Sequence, residues 1–440
     1  MLLLFAACAE PDCLVGAPVV SLFPEVVQAG DTPVHRVSWT TDAPATAEVS
    51  YGVAGLEQVL YDDEVGTEHA VVVAGIAAGD AWQLQAVSRA GDQVWISDVI
   101  AVAAVDAPAD VPVPAVVVPP DDEIGGFELT PAWAGTTYIT VIDRQGAPVW
   151  WAPVTARQTH RARYRDDPPA ISWVDYDATS DAAWFVTSTL DLVQSRVLAP
   201  EAIHHDFAPL PEGGFVALVS DARTVDGTVV NGDALQEIAP DGSTRELWNS
   251  WDHYAWNGDG ILSDNGEVDW PHANSLWYDG EDRKVLLSLF FLDAVVQIDR
   301  DSGAVDWQLG GDASDWEVVG GGFSGQHAPV LVNEGRSLVL MDNGRTGMGP
   351  SAAEACVYDL DFDTRVATLR WSFDDDLGHE GVLLGNVSWV SDDDIVVNWG
   401  SAGLLQRISA AGDVRWEVAY PLGEYALFSE HIADFSPGGL

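Results

Sequence analysis

His205-Asp-Phe-Ala-Pro-Leu-Pro-Glu-Gly213, His272-Ala-Asn-Ser-Leu-Trp-Tyr-Asp-Gly280 and His327-Ala-Pro-Val-Leu-Val-Asn-Glu-Gly335 are three copies of one pattern. Each is a histidine, seven residues and a glycine, and each runs into an apolar stretch: residues 215–219, 285–289 and 337–341. A glycine turn followed by a short apolar run bounded by polar residues reads as a strand. The repeat therefore sets one imidazole at the same point of three successive units. Units that repeat about a common axis bring such positions together.

A second repeat surrounds the first. A turn followed by a strand ending in tryptophan occurs at Gly146-Ala-Pro-Val-Trp150, Gly242-Ser-Thr-Arg-Glu-Leu-Trp248, Gly303-Ala-Val-Asp-Trp307, residues 363–371 and Gly412-Asp-Val-Arg-Trp416, with a weaker copy at Leu190-Asp-Leu-Val-Gln194. Six copies at intervals of roughly 45 to 65 residues match the blade length of a β-propeller. Nothing in the sequence sustains a 3.6-residue apolar period, so the expected class is all-β, a six-bladed propeller over residues 125–440. We expect segments from its two ends to pair and close it.

The preceding residues separate into three parts. Residues 15–105 read as a small β-sandwich: the strand-like runs 37–41, 47–51, 69–74 and 82–88 alternate with turns. With Trp39 early and Tyr51-Gly52 following, this part resembles a fibronectin type III-like module. Residues 106–124 are proline-rich and read as an extended linker. Residues 1–14 resemble a lipoprotein export segment, Phe5-Ala-Ala-Cys8 standing where a lipobox would. An exported protein, periplasmic or at the cell surface and tethered through lipid on Cys8, is the expectation.

Composition limits the partners. The 440 residues carry 69 acidic and 19 basic side chains, a net charge of −50, with Lys284 the single lysine. Such a surface repels nucleic acid at long range, so no nucleic-acid partner is expected. The 47% hydrophobic content and 19 tryptophans supply a large core.

Three converging imidazoles admit several chemistries. They suit a metal ion such as zinc, copper or iron. One can act as a nucleophile with the others as acid, base and anion contacts. They can also be hydrogen-bonded channel residues. No Gly-rich loop precedes a helix to hold a nucleotide, so no cofactor is expected. Eighteen residues beyond His205 and His327 stand Arg223 and Arg345, planar forks suited to sulfate or carboxylate. Eighteen beyond His272 stands Phe290.

His204-His205-Asp206, Asp269-Trp-Pro-His272-Ala-Asn-Ser275, the run on to Gln308-Leu-Gly-Gly311, Gly325-Gln326-His327 and Asp342-Asn-Gly344 together resemble the bacterial arylsulfate sulfotransferases, over about residues 125 to 420. The resemblance implies a six-bladed propeller that moves a sulfuryl group from an aryl sulfate to a phenol through a sulfated histidine, with no nucleotide sulfate donor. It implies His327 as the nucleophile, His272 as a sulfate-binding or proton-transfer partner, and His205 or His204 as a further active-site imidazole. Asn274 of the matched run, Arg223, Arg345 and Phe290 are the expected substrate contacts. Phe290 departs from the family, which carries arginine there. Arg223 or Arg345 is expected to substitute; otherwise the substrate differs, or the site binds an anion without turnover.

Overall fold

A computed structural model describes residues 19–121, 124–154, 159–177, 182–344, 353–374 and 383–435. Cys8 with its leader-like segment, and Arg345, lie outside these. The chain is almost wholly β, with six small sheets set in a ring. No helix among the described residues is long and apolar enough to cross a membrane.

Blade 2 comprises Ala162–Asp166, Pro169–Asp177, Ala182–Thr189 and Gln194–Leu198, from the axis outward. Blade 3 comprises Ile203–Pro209, Phe215–Val225, Thr228–Ile238 and Thr244–Asn249. Blade 4 follows with Ala273–Asp279, Lys284–Leu289, Ala294–Asp299 and Val305–Gly310. Blade 5 has His327–Val332, Ser337–Asp342, Glu354–Asp361 and Val366–Phe373, and blade 6 Asn386–Ser391, Asp394–Asn398, Leu404–Ser409 and Val414–Ala419.

The apolar stretches that follow the histidines are the second strands of blades 3, 4 and 5. They are buried on both faces because a neighbouring blade packs on each side, which is why they read as continuous apolar runs. The tryptophan repeats are the fourth strands of their blades, counted from the axis. Trp150, Trp248, Trp307 and Trp416 fill the gaps between blades and are nearly sealed from solvent.

Two pairings close the ring. Tyr425–Ala426 and Glu430–Ile432 supply the innermost element of blade 1, against Phe127–Trp133, which is followed outward by Thr137–Asp143 and Pro148–Val154. Ala115–Val118 adds a fifth, outermost strand to blade 6, against Val414–Ala419. The proline-rich stretch 106–124 therefore contributes a strand to the propeller as well as a connection.

In the N-terminal part, one long strand, His35–Gly52, joins two faces. Its first half pairs with Glu25–Gln28 and with residues 68–73, and its second half with residues 58–62 and 83–87. Val37 and Trp39 from the first half meet Val49, Tyr51 and Trp82 in one core. Ala29, Val34 and Val72 pack onto Trp150 and Trp173 of blades 1 and 2, and Arg36 reaches Asp191 at 3.0 Å.

Candidate active site

Each histidine sits where an innermost strand begins, and the backbone there departs from regular β. His205 and His272 have φ of 52° and 61°, and Ala328, beside His327, has 50°. At each place the pairing register shifts, between 203 and 207, 273 and 275, and 327 and 330. A bulge of this kind re-aims a side chain. A left-handed backbone at residues other than glycine costs on the order of 1 kcal/mol or more, a strain found most often at functional sites.

The imidazoles line one cavity of about 860 Å³ at the mouth of the channel. A fourth joins them. His160, just ahead of the innermost strand of blade 2, lies 5.6 Å from the His205 ring, and His205 lies 4.7 Å from His272. Phe290 stands between His272 and His327, with centroids at 5.6 and 5.9 Å. Its amide donates to the His272 carbonyl at 3.1 Å, so the hairpin brings residue 290 back beside residue 272. Phe290 packs over Gly325, where a Cβ would come within 3.0 Å of its ring. Trp133 and Tyr425 stack at 5.0 Å on the cavity wall, adding an aromatic face.

Hydrogen bonds assign the nitrogens. Asn343 donates from Nδ2 to the Leu384 carbonyl at 2.9 Å, which turns its Oδ1 toward His327. That oxygen accepts from Nδ1–H of His327 at 2.7 Å. Nε2 of His327 is then the nitrogen with the free lone pair. Burial lowers the His327 pKa to about 4, offset in part by Asn343, so the ring is neutral across the neutral range. His272 is the opposite case. Burial disfavours its charged form, but Nδ1–H donates to Asp269 at 2.6 Å, and that bond with the charges of Asp269 and Asp233 raises its pKa above the ordinary value. His205 is pushed well below the ordinary value by burial and then by the surrounding histidines. One imidazole is thus held ready to be charged beside another held neutral, the separation of roles expected of an acid or anion contact and a nucleophile.

Several expected contacts fall elsewhere. His204 stands behind His205, their Nδ1 atoms 2.8 Å apart, with its Nε2 3.2 Å from Asp233. It holds His205 and does not line the large cavity. Asn274 is fully buried, donating from Nδ2 to the Gln326 carbonyl at 2.8 Å, so it braces the approach to His327 and does not line the cavity. Arg223 is exposed, paired with Asp221 at 2.9 Å and stacked on Trp251 at 5.5 Å. It does not line the cavity that holds Phe290. The reason is the length of its hairpin, which carries residue 223 beyond the mouth, where Asp221 and Trp251 engage it. Among the described residues no arginine or lysine lines the cavity, and no group of three or more His, Cys, Asp or Glu is placed to hold a metal ion.

Sequence reasoning passed over His160 and the role of Asn343. An apolar strand begins about ten residues after His160, as after His205 and His327, so that signal was present; Pro168 takes the place of the glycine in the ruler. Asn343 lies sixteen residues beyond His327, close only because the hairpin folds back.

Below the imidazoles the channel is plugged. Asp206 is almost fully buried and meets Arg163 Nη2 at 2.9 Å and Arg161 Nη2 at 3.4 Å. It also accepts from the backbone N–H of Phe207 and of Leu276, stitching blades 2, 3 and 4 together. Arg161 stacks on Phe428 of blade 1 at 4.3 Å.

Fold and site together define a six-bladed propeller with an imidazole cluster at one mouth. The family model described as Arylsulfotransferase (ASST) matches residues 126–424, and the chain belongs to that family. Membership supports aryl sulfotransferase activity in general. No curated protein matches the chain. Among solved structures it is similar to a streptogramin B lyase (10% identity, 70% of this chain and 85% of that one, TM-score 0.36) and to the virginiamycin B lyase of Staphylococcus aureus (9%, 70% and 88%, 0.37). It is similar also to the hydrazine synthase of Kuenenia stuttgartiensis (11%, 69% and 78%, 0.39). These likenesses are too distant to bear on activity.

Proposed function

We propose that this chain moves a sulfuryl group from an aryl sulfate to a phenol through a sulfated His327. The observation that carries the reading is the Asn343–His327 bond, which leaves Nε2 as a neutral nucleophile at a cavity of suitable size. The Nε2 lone pair attacks sulfur, the S–O bond to the aryl group breaks, and its electron pair leaves on the phenol oxygen. Nδ1 keeps its proton throughout, hydrogen-bonded to Asn343 Oδ1, so the sulfated ring is a zwitterion. An acceptor phenol reverses the steps, giving ping-pong kinetics. Sulfuryl transfer resembles phosphoryl transfer in that positioning and charge neutralisation dominate. The His272 imidazolium supplies the charge that meets the sulfuryl oxygens.

The test is to incubate the protein with a chromogenic aryl sulfate, with and without a phenol, and to seek a sulfated histidine by mass spectrometry. Binding of the aryl sulfate without phenol release or label would replace this reading with an anion-binding propeller, which the apolar Phe290 favours.

The pH profile follows from the two pKa shifts. Protonation of His327 removes its lone pair, so kcat/KM should fall as pH drops toward about 4. Deprotonation of His272 removes its charge, so the alkaline limb should begin above the ordinary histidine value of about 6.5. An acid limb near the ordinary value would contradict a nucleophile buried as His327 is.

Phe290→Arg should raise kcat/KM for an aryl sulfate by roughly tenfold or more, the scale of one charge-assisted hydrogen bond. Steady-state kinetics check this; an unchanged value would mean that charge at this place does not limit the reaction.

We propose further that the N-terminal unit is a fibronectin type III-like spacer, and that the protein is exported and tethered through lipid on Cys8. Mass spectrometry of the native N-terminus tests the tether, and an unmodified cysteine there in a cytosolic protein would sink it.

A further inference from the structure

We infer that His160 is a catalytic residue, the group in line with the departing and arriving phenol oxygen. This rests on the sulfuryl-transfer reading given above and adds to it the proton path.

The innermost strands contact one another in the order of blades 3, 4, 5, 6, 1 and 2, which is chain order around the ring. His160 precedes the strand of blade 2, and His327 opens the strand of blade 5. Three blades apart in a ring of six is diametrically opposite. Both imidazoles line the same cavity. Transfer between two nucleophiles at a sulfuryl or phosphoryl centre places the attacking and leaving atoms roughly in line. With Nε2 of His327 on one side of sulfur, the phenol oxygen points across the mouth toward blade 2. His272, on the blade next to His327, instead flanks the sulfuryl oxygens.

The second observation is that His160 is uncommitted. His327, His272 and His205 each have Nδ1 engaged, by Asn343, Asp269 and His204. Among the described residues His160 has its ring contact with His205 and no hydrogen bond to either nitrogen. The neighbouring Arg161 is turned away, onto Asp206 and Phe428. Burial lowers the His160 pKa, with Asp206 acting against this and His204 and His272 adding to it, so the ring is a base at neutral pH.

In the return half-reaction the acceptor O–H gives its proton to a His160 ring nitrogen. The oxygen forms the S–O bond, and the N–S bond breaks with its pair returning to Nε2 of His327. In the donor half-reaction of the next cycle the same nitrogen gives that proton to the leaving phenolate; on a first turnover His160 takes the proton from solvent. An acidic phenol such as nitrophenol leaves without this help, whereas an unactivated phenol needs it.

His160→Gln is therefore expected to slow turnover of phenyl sulfate, and transfer from the labelled enzyme to phenol, by about 10²-fold, and to slow nitrophenol release from 4-nitrophenyl sulfate by less than about tenfold. With His160→Ala, imidazole added to the solution should restore part of the phenyl sulfate rate. Melting curves establish that both variants are folded. A role in shape alone would slow both donors alike and ignore imidazole, and that result, or no effect on either donor, overturns the assignment. A wild-type protein that acquires no label sinks the transfer reading itself, and the His160 assignment with it.

Discussion

His327→Ala is expected to release no phenol above background and to carry no sulfate on histidine, a loss of at least ~10⁴-fold in kcat, because a covalent nucleophile has no substitute. The variant should fold. His327 opens a strand at the cavity wall, and its side chain bonds only locally, to Asn343 and the Gly325 backbone, so truncation leaves a void next to space that already exists. Both readouts must fail together. Phenol release that survives without label would mean that water or another imidazole takes the sulfuryl group directly, and the covalent mechanism would be wrong. A label that moves to His272 would place the nucleophile one blade earlier, against the hydrogen bond that keeps His272 paired with Asp269.

The largest effect on stability is expected at Asp206→Ala. Asp206 is almost fully buried and is the shared partner of Arg161 and Arg163, and two backbone N–H groups also point at it. Its removal leaves two guanidinium groups below the surface with one carboxylate fewer. Breaking a buried pair in this way costs about 3–5 kcal/mol. Burial already draws the Arg161 pKa down to about 10, with Arg163 adding to it, so the arginine is poorly placed to lose its counter-charge. Urea unfolding should show the midpoint displaced accordingly, and a loss under about 1 kcal/mol would mean that Glu430, which also lies near both arginines, takes over their charge. Because the plug lies directly beneath the imidazoles, we expect the same variant to loosen His205 and His160.

Much of this architecture was legible before any coordinates. The five turn-and-tryptophan copies and the weaker copy at 190–194 became the fourth strands of the six blades, since a propeller repeats one local solution: a turn, an apolar strand and, in five of the six, a large ring to fill the wedge between blades. His205, His272 and His327 were found by spacing alone, because each innermost strand starts at a fixed distance from the next turn. The same ruler missed His160, where Pro168 stands for glycine. It overvalued Arg223, because spacing along a strand does not reveal that a hairpin extends past the mouth. Asn274 read as a contact because it adjoins a histidine in the chain, yet the bulge after His272 turns it into the interior.

The sequence by itself determined the blade count, the all-β class, the acidic surface and the identity of three imidazoles at one mouth. These follow from local periodicity and composition, which are properties of neighbours along the chain. Only the tertiary structure decided which nitrogen of His327 is free, which imidazole is held ready to be charged, that Phe290 stands between them, and that residues 115–118 and 425–432 close the ring. Those depend on atoms that meet across hairpins and between blades, and on burial contributed by several blades at once, so no local pattern in the chain records them.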